Sequence, residues 1–302
     1  MAEKIQYYLE SFRLRTLPVS IAGVIMGSFL SSADGYSHID LFIWALLTTL
    51  CLQILSNVSN ELGDLQKGTD NEERLGPIRS VQRGVLTAKN LVGMVLIFIG
   101  LSATFGLGLI WSAFHSLSSP ESLLMMILGV LAMLASIKYT YGKNAYGYIG
   151  LGDFFVFLFF GIVSVAGIYF LSTQRLSPDI FLPAASVGLM SVAVLNVNNI
   201  RDMENDARFK KKTMAVRMGE KGAKIYHLLL ITTAFLLMII FSVLQGKNII
   251  SYFYLLSIPI FINHLKKVFQ GKGENLDVQL KVQALATLLF AFLAGLGMVF
   301  SY

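Results

Sequence analysis

Two polar stretches carry side chains able to do chemistry: Asn57-Val-Ser-Asn-Glu-Leu-Gly-Asp64, with Asp70 beyond it, and Asn196-Val-Asn-Asn-Ile-Arg-Asp202-Met-Glu-Asn-Asp206. Residues four apart share one helical face, so Asn60 aligns with Asp64, while Asn198, Asp202 and Asp206 form a column three deep. Each column is an oxygen-only donor set with no His–Cys arrangement near it. Such hard donors suit magnesium, which takes one or two carboxylates, keeps waters and completes its shell with substrate phosphates. Two columns facing one another would hold a pair of Mg2+ ions bridging a diphosphate and stabilise the leaving group as charge develops. The stretches also echo each other: Asn57-Val-Ser-Asn60 returns as Asn196-Val-Asn-Asn199, and the basic runs that follow end in Arg83-Gly84 and in Arg217-Met-Gly219. Duplication of a helical half would set the two clusters face to face across a cavity, although transporters are built from repeats too.

A diphosphate also needs cationic donors. Lys67, Arg74, Arg79 and Arg83 follow the first cluster, and Arg208, Lys210, Lys211, Lys212 and Arg217 follow the second. Most of these are what any cytoplasmic loop of a membrane protein carries. Arg79 and Arg83 stand out, one helical turn apart, and arginine's planar fork matches phosphate oxygens. Tyr139-Thr-Tyr-Gly-Lys143 repeats the four-residue spacing ahead of Gly150-Leu-Gly-Asp153, where Asp153 either pairs with Lys143 or lines the site. Glu61, Glu72, Glu73 and Glu204 read equally well as loop acids or salt-bridge partners, and the last three are left outside the site.

The elements that must position these groups are membrane helices. Of 302 residues 55% are hydrophobic and 14% charged, against about 25% charged in an ordinary soluble domain, and the mean hydropathy is +0.66. Apolar runs of spanning length, roughly 17 to 25 residues, cover about 16–33, 39–60, 89–112, 121–139, 148–172, 179–200, 223–244, 249–264 and 281–301. Nine alternating spans put 22 of the 24 lysines and arginines on one side, with only Arg175 and Lys247 opposite. By the positive-inside rule the amino terminus is then cytoplasmic and the carboxyl terminus outside. The net charge of +6 reflects this topology rather than nucleic-acid binding. Both acid clusters fall at cytoplasmic ends of spans, where a carboxylate is costly unless compensated. The first run lacks a signal-peptide cleavage pattern and is expected to stay in the mature protein. Cys51, the single cysteine, can form no internal disulfide and reads as a small core residue. No low-complexity linker divides the chain, so residues 1–302 are expected to form one domain.

These residues resemble the UbiA superfamily of intramembrane aromatic prenyltransferases, whose motifs N-D-x-x-D, Y-x-x-x-K and D-x-x-x-D stand here as Asn60-Glu-Leu-Gly-Asp64, Tyr139-Thr-Tyr-Gly-Lys143 and Asp202-Met-Glu-Asn-Asp206. Glu61 replaces the usual aspartate, keeping the carboxylate on a longer arm. The flanks are most similar to bacterial 1,4-dihydroxy-2-naphthoate polyprenyltransferases of menaquinone synthesis, in Arg15-Thr-Leu-Pro18, Gly63 to Asp70, Arg74-Leu-Gly-Pro77, Gly150-Leu-Gly152, Asn198 to Asp206, Lys212-Thr213 and Val216-Arg-Met-Gly219.

The resemblance implies an all-α, polytopic membrane fold of nine transmembrane helices around a central cavity, with a polar cytoplasmic cap and a lateral opening for a lipid tail. It implies a bacterial inner-membrane enzyme that transfers a polyprenyl group from polyprenyl diphosphate to the aromatic acid, with decarboxylation, giving demethylmenaquinol. Asn60, Asp64, Asp70, Asp202 and Asp206 would hold Mg2+, with Asp64, Asp202 and Asp206 catalytic through it, and Arg79, Arg83, Tyr139 and Lys143 would contact the diphosphate. Other UbiA-type acceptors (4-hydroxybenzoate, homogentisate, haem) are the alternatives. A cation-coupled transporter is a further alternative, disfavoured because the acids lie at span ends rather than at the bilayer midplane.

Overall fold

The computed structural model describes residues 2–69, 75, 76, 79–246 and 248–301. Among them nine helical segments are long and apolar enough to cross a membrane, and no strand occurs. A short amphipathic helix α1 (Ala2–Ser11) leads through a tight turn into α2 (Leu17–Ala33). Then follow α3 (Ile39–Lys67), α4 (Ala88–Phe114) and α5 (Pro120–Lys138). The fifth span is composite: α6 (Gly152–Val156), a π-helical stretch Phe157–Ala166 and α7 (Gly167–Thr173). After it come α8 (Phe181–Arg201), the short α9 (Met203–Arg208), α10 (Met214–Leu244), α11 (Ile258–Gln270) and α12 (Asp277–Phe300).

Local chemistry sets the ends. Thr87 and Asn90 form a capping box at the start of α4, Ser119 caps α5 ahead of Pro120, and Gly68 closes α3 at φ 71°, each satisfying backbone groups that a helix end would otherwise leave unpaired. Two boundaries depart from the apolar runs. Helix α3 continues to Lys67, so Asn60, Glu61 and Asp64 sit on one unbroken helix. The seventh span begins at Met214, with a break at Gly219 (φ 68°, ψ 171°) that hydrophobicity does not register.

Helices α3, α4 and α5 pack on one another, α8 packs on α10 and α12, and α2 with the fifth span joins the two groups. Inside a bilayer such contacts rest on close packing and small residues rather than on exclusion of water. At one of them backbone meets backbone, Gly161 of the π-helical stretch against Gly188 of α8: a Cβ on Gly161 would lie 2.5 Å from Gly188 Cα and 2.6 Å from the Ala184 carbonyl oxygen. The principal cluster of buried apolar residues gathers α8, α10 and α12 around Phe241, Tyr254, Phe261 and Phe290. Between α2, α3, α4, α5, the fifth span and α8 a cavity of about 790 Å³ stays open.

Candidate active site

Asn60 and Asp64 are both buried on α3 and line this cavity at one end. The loop after α5 is clamped onto them. A Cβ on Gly63 would meet the Thr140 carbonyl carbon at 2.5 Å, so only glycine admits the loop this close. Thr140 Oγ1 lies 3.3 Å from Asn60 Oδ1, and Tyr148 donates its phenolic hydrogen to Asp64 Oδ1 at 3.0 Å. The Lys67 ammonium sits 3.6 Å above the Tyr148 ring, a cation–π contact. Burial, then the Asp64 charge, pushes the Tyr148 phenol well above its ordinary range, so it remains a donor.

Asn198, Asp202 and Asp206 line the opposite wall. Helix α8 ends at Arg201 and α9 begins at Met203, yet bonds from Asp202 N to Asn198 O (3.1 Å) and from Asp206 N to Asp202 O (2.8 Å) carry the helical winding across the junction. The column therefore survives a break in the helix. Arg201, its side chain fully buried, grips Asp202 with Nε on Oδ1 (2.8 Å) and Nη2 on Oδ2 (2.7 Å). Its Nη1 donates to Asp277 Oδ1 at 2.5 Å, and Asp277 also accepts from Arg15 at 2.7 and 2.8 Å. An Arg15–Asp277–Arg201–Asp202 chain thus ties the entries of the first and last spans to the end of α8, through bidentate, charge-assisted contacts of the strong kind.

The two walls meet through Asn205, whose side chain donates to the Thr69 carbonyl at 3.1 Å, and through Lys211, buried with its ammonium 3.4 Å from Asp206 Oδ1. Burial works against the Lys211 charge, but Asp206 and Asp64 outweigh it and push its pKa up. Asp206 moves up to about 6: burial dominates, Lys211 opposes it, and the charges of Asp202 and Asp64 add to it. Asp64 of α3 and Asp206 of α9 therefore share one electrostatic environment around a lysine, and Asp202 joins it through its effect on Asp206.

Arg79 is buried and Tyr139 points into the same cavity; burial pushes the Tyr139 phenol up to about 12. Arg83 and Lys143 are exposed and outside its lining. Arg83 lies 3.7 Å from Glu10 and over the Tyr7 ring. Between Tyr139 and Lys143 a left-handed glycine, Gly142 (φ 90°), interrupts the helix, so the four-residue spacing does not produce a common face there. Arg83 N does donate to the Arg79 carbonyl at 3.1 Å, but this single turn stops at the left-handed Gly84 (φ 71°) and leaves Arg79 buried and Arg83 exposed. Asp153 accepts from Tyr226 at 3.0 Å and is outside the cavity lining. Asp70, Glu72, Glu73 and Arg74 lie outside the described residues. Sequence reasoning passed over Tyr148, Asn205 and Asp277, and used Arg15 and Arg201 only as topological charges or motif flanks. Their partners are up to 262 residues away, a distance no local spacing reveals.

The family model described as the UbiA prenyltransferase family matches residues 20–288. The chain belongs to the UbiA family. It is 38% identical over 301 residues to a 1,4-dihydroxy-2-naphthoate octaprenyltransferase of Haemophilus influenzae, covering 98% of this chain and 97% of that one. Identity is also 38% over 267 residues to the same-named enzyme of Escherichia coli, covering 88% and 86%. Among solved structures, the fold is like that of a UbiA homologue from Aeropyrum pernix (TM-score 0.67, 16% identity, 94% and 96% covered). A UbiA homologue from Archaeoglobus fulgidus bound to GPP and Mg2+ is also similar (TM-score 0.61, 14% identity, 96% and 99% covered).

In this UbiA chain the cavity becomes apolar directly beneath the polar end. Tyr139 packs edge-on to Tyr146 (centroids 5.3 Å), Tyr146 meets Phe155 at 4.1 Å, and Phe155 stacks on Phe159 at 6.3 Å; all four line the cavity. Such faces stabilise a cation that water cannot reach. Among the described residues no three Asp, Glu, His or Cys side chains converge closely enough to cage a metal by themselves. The donor chemistry nevertheless fits a hard cation: Asp206 Oδ2 is buried without a hydrogen-bond partner, and Asn60, Asp64, Asn198 and Asp202 line the same cavity. Both carboxylate oxygens of Glu61 are likewise buried and unpartnered, but Glu61 is not part of the cavity lining.

Proposed function

We propose that this protein is a 1,4-dihydroxy-2-naphthoate polyprenyltransferase, moving a polyprenyl group from its diphosphate to the aromatic acid with loss of carbon dioxide to give demethylmenaquinol. The carrying observation is the convergence of Asn60, Asp64, Asp202 and Asp206, from two distant helices, on one end of a long apolar cavity. The names of the 38%-identical relatives supply the acceptor.

Asn60, Asp64, Asp202 and Asp206, with Asp70, would hold Mg2+ against the substrate diphosphate. When bound, that ion neutralises charge developing on the departing diphosphate. Arg79, Tyr139 and Lys211 stand ready to contact the diphosphate oxygens, and Arg83 and Lys143 would join them only through movement of their loops. The allylic carbon–oxygen bond breaks with its electron pair leaving on diphosphate. The Tyr139–Tyr146–Phe155–Phe159 wall shields the allylic cation from water, the electron-rich ring forms the new carbon–carbon bond, and the ring carboxylate leaves as carbon dioxide, returning its bonding pair to the ring. The whole chain acts as one catalytic domain of an inner membrane, with the polar end, the amino terminus and the basic loops cytoplasmic.

The test is direct. Purified protein given a divalent cation, a polyprenyl diphosphate and each candidate acid should form the decarboxylated naphthoquinol adduct, and Asp64→Ala or Asp202→Ala should abolish turnover while the protein still migrates as a folded species in detergent. Undiminished turnover in either variant would refute the ligand assignment. Adducts formed only with 4-hydroxybenzoate or homogentisate would move the acceptor.

A further inference from the structure

Below the diphosphate end, α3 presents a second polar group to the cavity. Gln53 and Asn57 precede Asn60 and Asp64 on the same helical face, and at 1.5 Å per residue Gln53 lies about 10 Å deeper than Asn60 along the axis. Opposite them on the chain entering α2 is Thr16; all of these line the cavity. The hydrogen bonds fix every dipole in this group. Thr16 Oγ1 donates to the Arg13 carbonyl at 2.9 Å, so it is an acceptor toward the amides. Asn57 Nδ2 donates to the Phe12 carbonyl at 2.8 Å and to Thr16 Oγ1 at 3.2 Å. A carbonyl can only accept, so the Asn57 amide cannot be turned round, and its Oδ1 faces Gln53. Gln53 Nε2 therefore donates, to Asn57 Oδ1 at 3.3 Å and to Thr16 Oγ1 at 3.4 Å. What remains is Gln53 Oε1. It is buried without a partner, on a residue only 8% exposed.

A buried acceptor oxygen on a residue that lines the cavity is costly to leave unmatched and selects a ligand that brings a donor. Of the two substrates, the polyprenyl diphosphate has none: its tail is hydrocarbon and its head, held on the acids through metal, only accepts. A hydroxylated aromatic acid has phenolic O–H groups. We propose that Gln53, oriented by Asn57 and Thr16, is the recognition site for a ring hydroxyl of the aromatic acceptor. A hydroxyl docked there turns the acceptor's anionic carboxylate away from Gln53 Oε1, which would repel it, and so selects one orientation of the ring beneath the diphosphate. This rests on the prenyltransferase reading above and adds the acceptor subsite to it.

The experiment compares binding of 1,4-dihydroxy-2-naphthoate with that of 1-hydroxy-2-naphthoate and 4-hydroxy-2-naphthoate, each lacking one hydroxyl, to the wild-type protein and to Gln53→Leu and Gln53→Asn. In the wild type, the analogue missing the recognised hydroxyl should bind on the order of tenfold or more weakly. In Gln53→Leu the parent should weaken by a similar factor, that same analogue should lose little, and the KM for polyprenyl diphosphate should stay at its wild-type value. Gln53→Asn, which keeps the amide but shortens its arm, repeats the comparison should the leucine variant fail to fold. Equal affinity of all three compounds for the wild type overturns the subsite. So does a loss in the variants that is the same for every compound. Wild-type protein that prenylates 1,4-dihydroxy-2-naphthoate but shows either result discards the subsite alone, whereas wild type that prenylates no hydroxyarene discards the enzymatic reading and the subsite with it.

Discussion

Arg201 decides how Asp202 behaves. A guanidinium with no solvent access, shared between Asp202 and Asp277, fixes the carboxylate's direction before any ligand arrives. Breaking a buried pair by removing one partner typically costs about 3–5 kcal/mol, because the other charge is left uncompensated. Arg201→Met should therefore lower the melting midpoint in detergent sharply and, in whatever protein folds, reduce turnover by at least tenfold; a variant with unchanged melting and turnover would show that the clamp is dispensable. Asp206 makes a prediction about pH. With divalent cation chelated, its carboxyl sits near 6 rather than at the ordinary 3.8, chiefly through burial. A group whose folded pKa is raised binds its proton more tightly in the folded state, so the stability it confers is present at low pH and is lost as pH rises from about 4 to about 6. The melting midpoint of chelated wild-type protein should fall across that window relative to Asp206→Asn, and equal slopes for the two proteins would contradict it.

At the scale of elements, the site depends on two places where backbone meets backbone. Gly63 admits the loop after α5 onto α3, and Gly161 admits the π-helical stretch onto α8. Interiors this dense accept an added methyl only by moving the neighbour. Gly161→Ala should destabilise the bundle by about 1–3 kcal/mol, measured as a lower midpoint in detergent melting. Gly63→Ala should leave the bundle nearly as stable while depressing turnover several-fold, because what it pushes aside is the loop carrying Tyr139 and Tyr148 rather than a span. Comparable melting losses in the two variants would show that the loop is as structural as the helix contact. The sequence pattern made both acid columns visible, since a period of 3.6 survives in any helix. It could not show that Tyr139 and Lys143 part company, because Gly142 interrupts the helix there, nor that α8 breaks at Asp202 while its column persists.

For the molecule as a whole, the basic loops, the acid columns and Arg79 all gather at one end of the bundle, and the proposed topology makes that end cytoplasmic. Cys51 is buried, so its replacement by alanine provides a background for accessibility mapping. In that background Ser118→Cys should react with a membrane-impermeant maleimide in intact inner-membrane vesicles of right-side-out orientation, and Lys221→Cys only after permeabilisation; both positions are exposed. The reverse pattern would invert the topology and put the diphosphate end on the wrong side for a cytoplasmic substrate.

The sequence by itself determined the membrane class, the nine spans, the candidate sidedness and the acid columns, because apolar run length, charge asymmetry and helical period are local properties that one chain displays without folding. Tertiary structure decided which charges the columns meet. Lys211 between Asp64 and Asp206, Tyr148 on Asp64, Arg201 on Asp202 and Asp277, and the unmatched oxygen of Gln53 all arise from contacts between segments far apart along the chain, and their energies depend on burial that exists only once the bundle has closed.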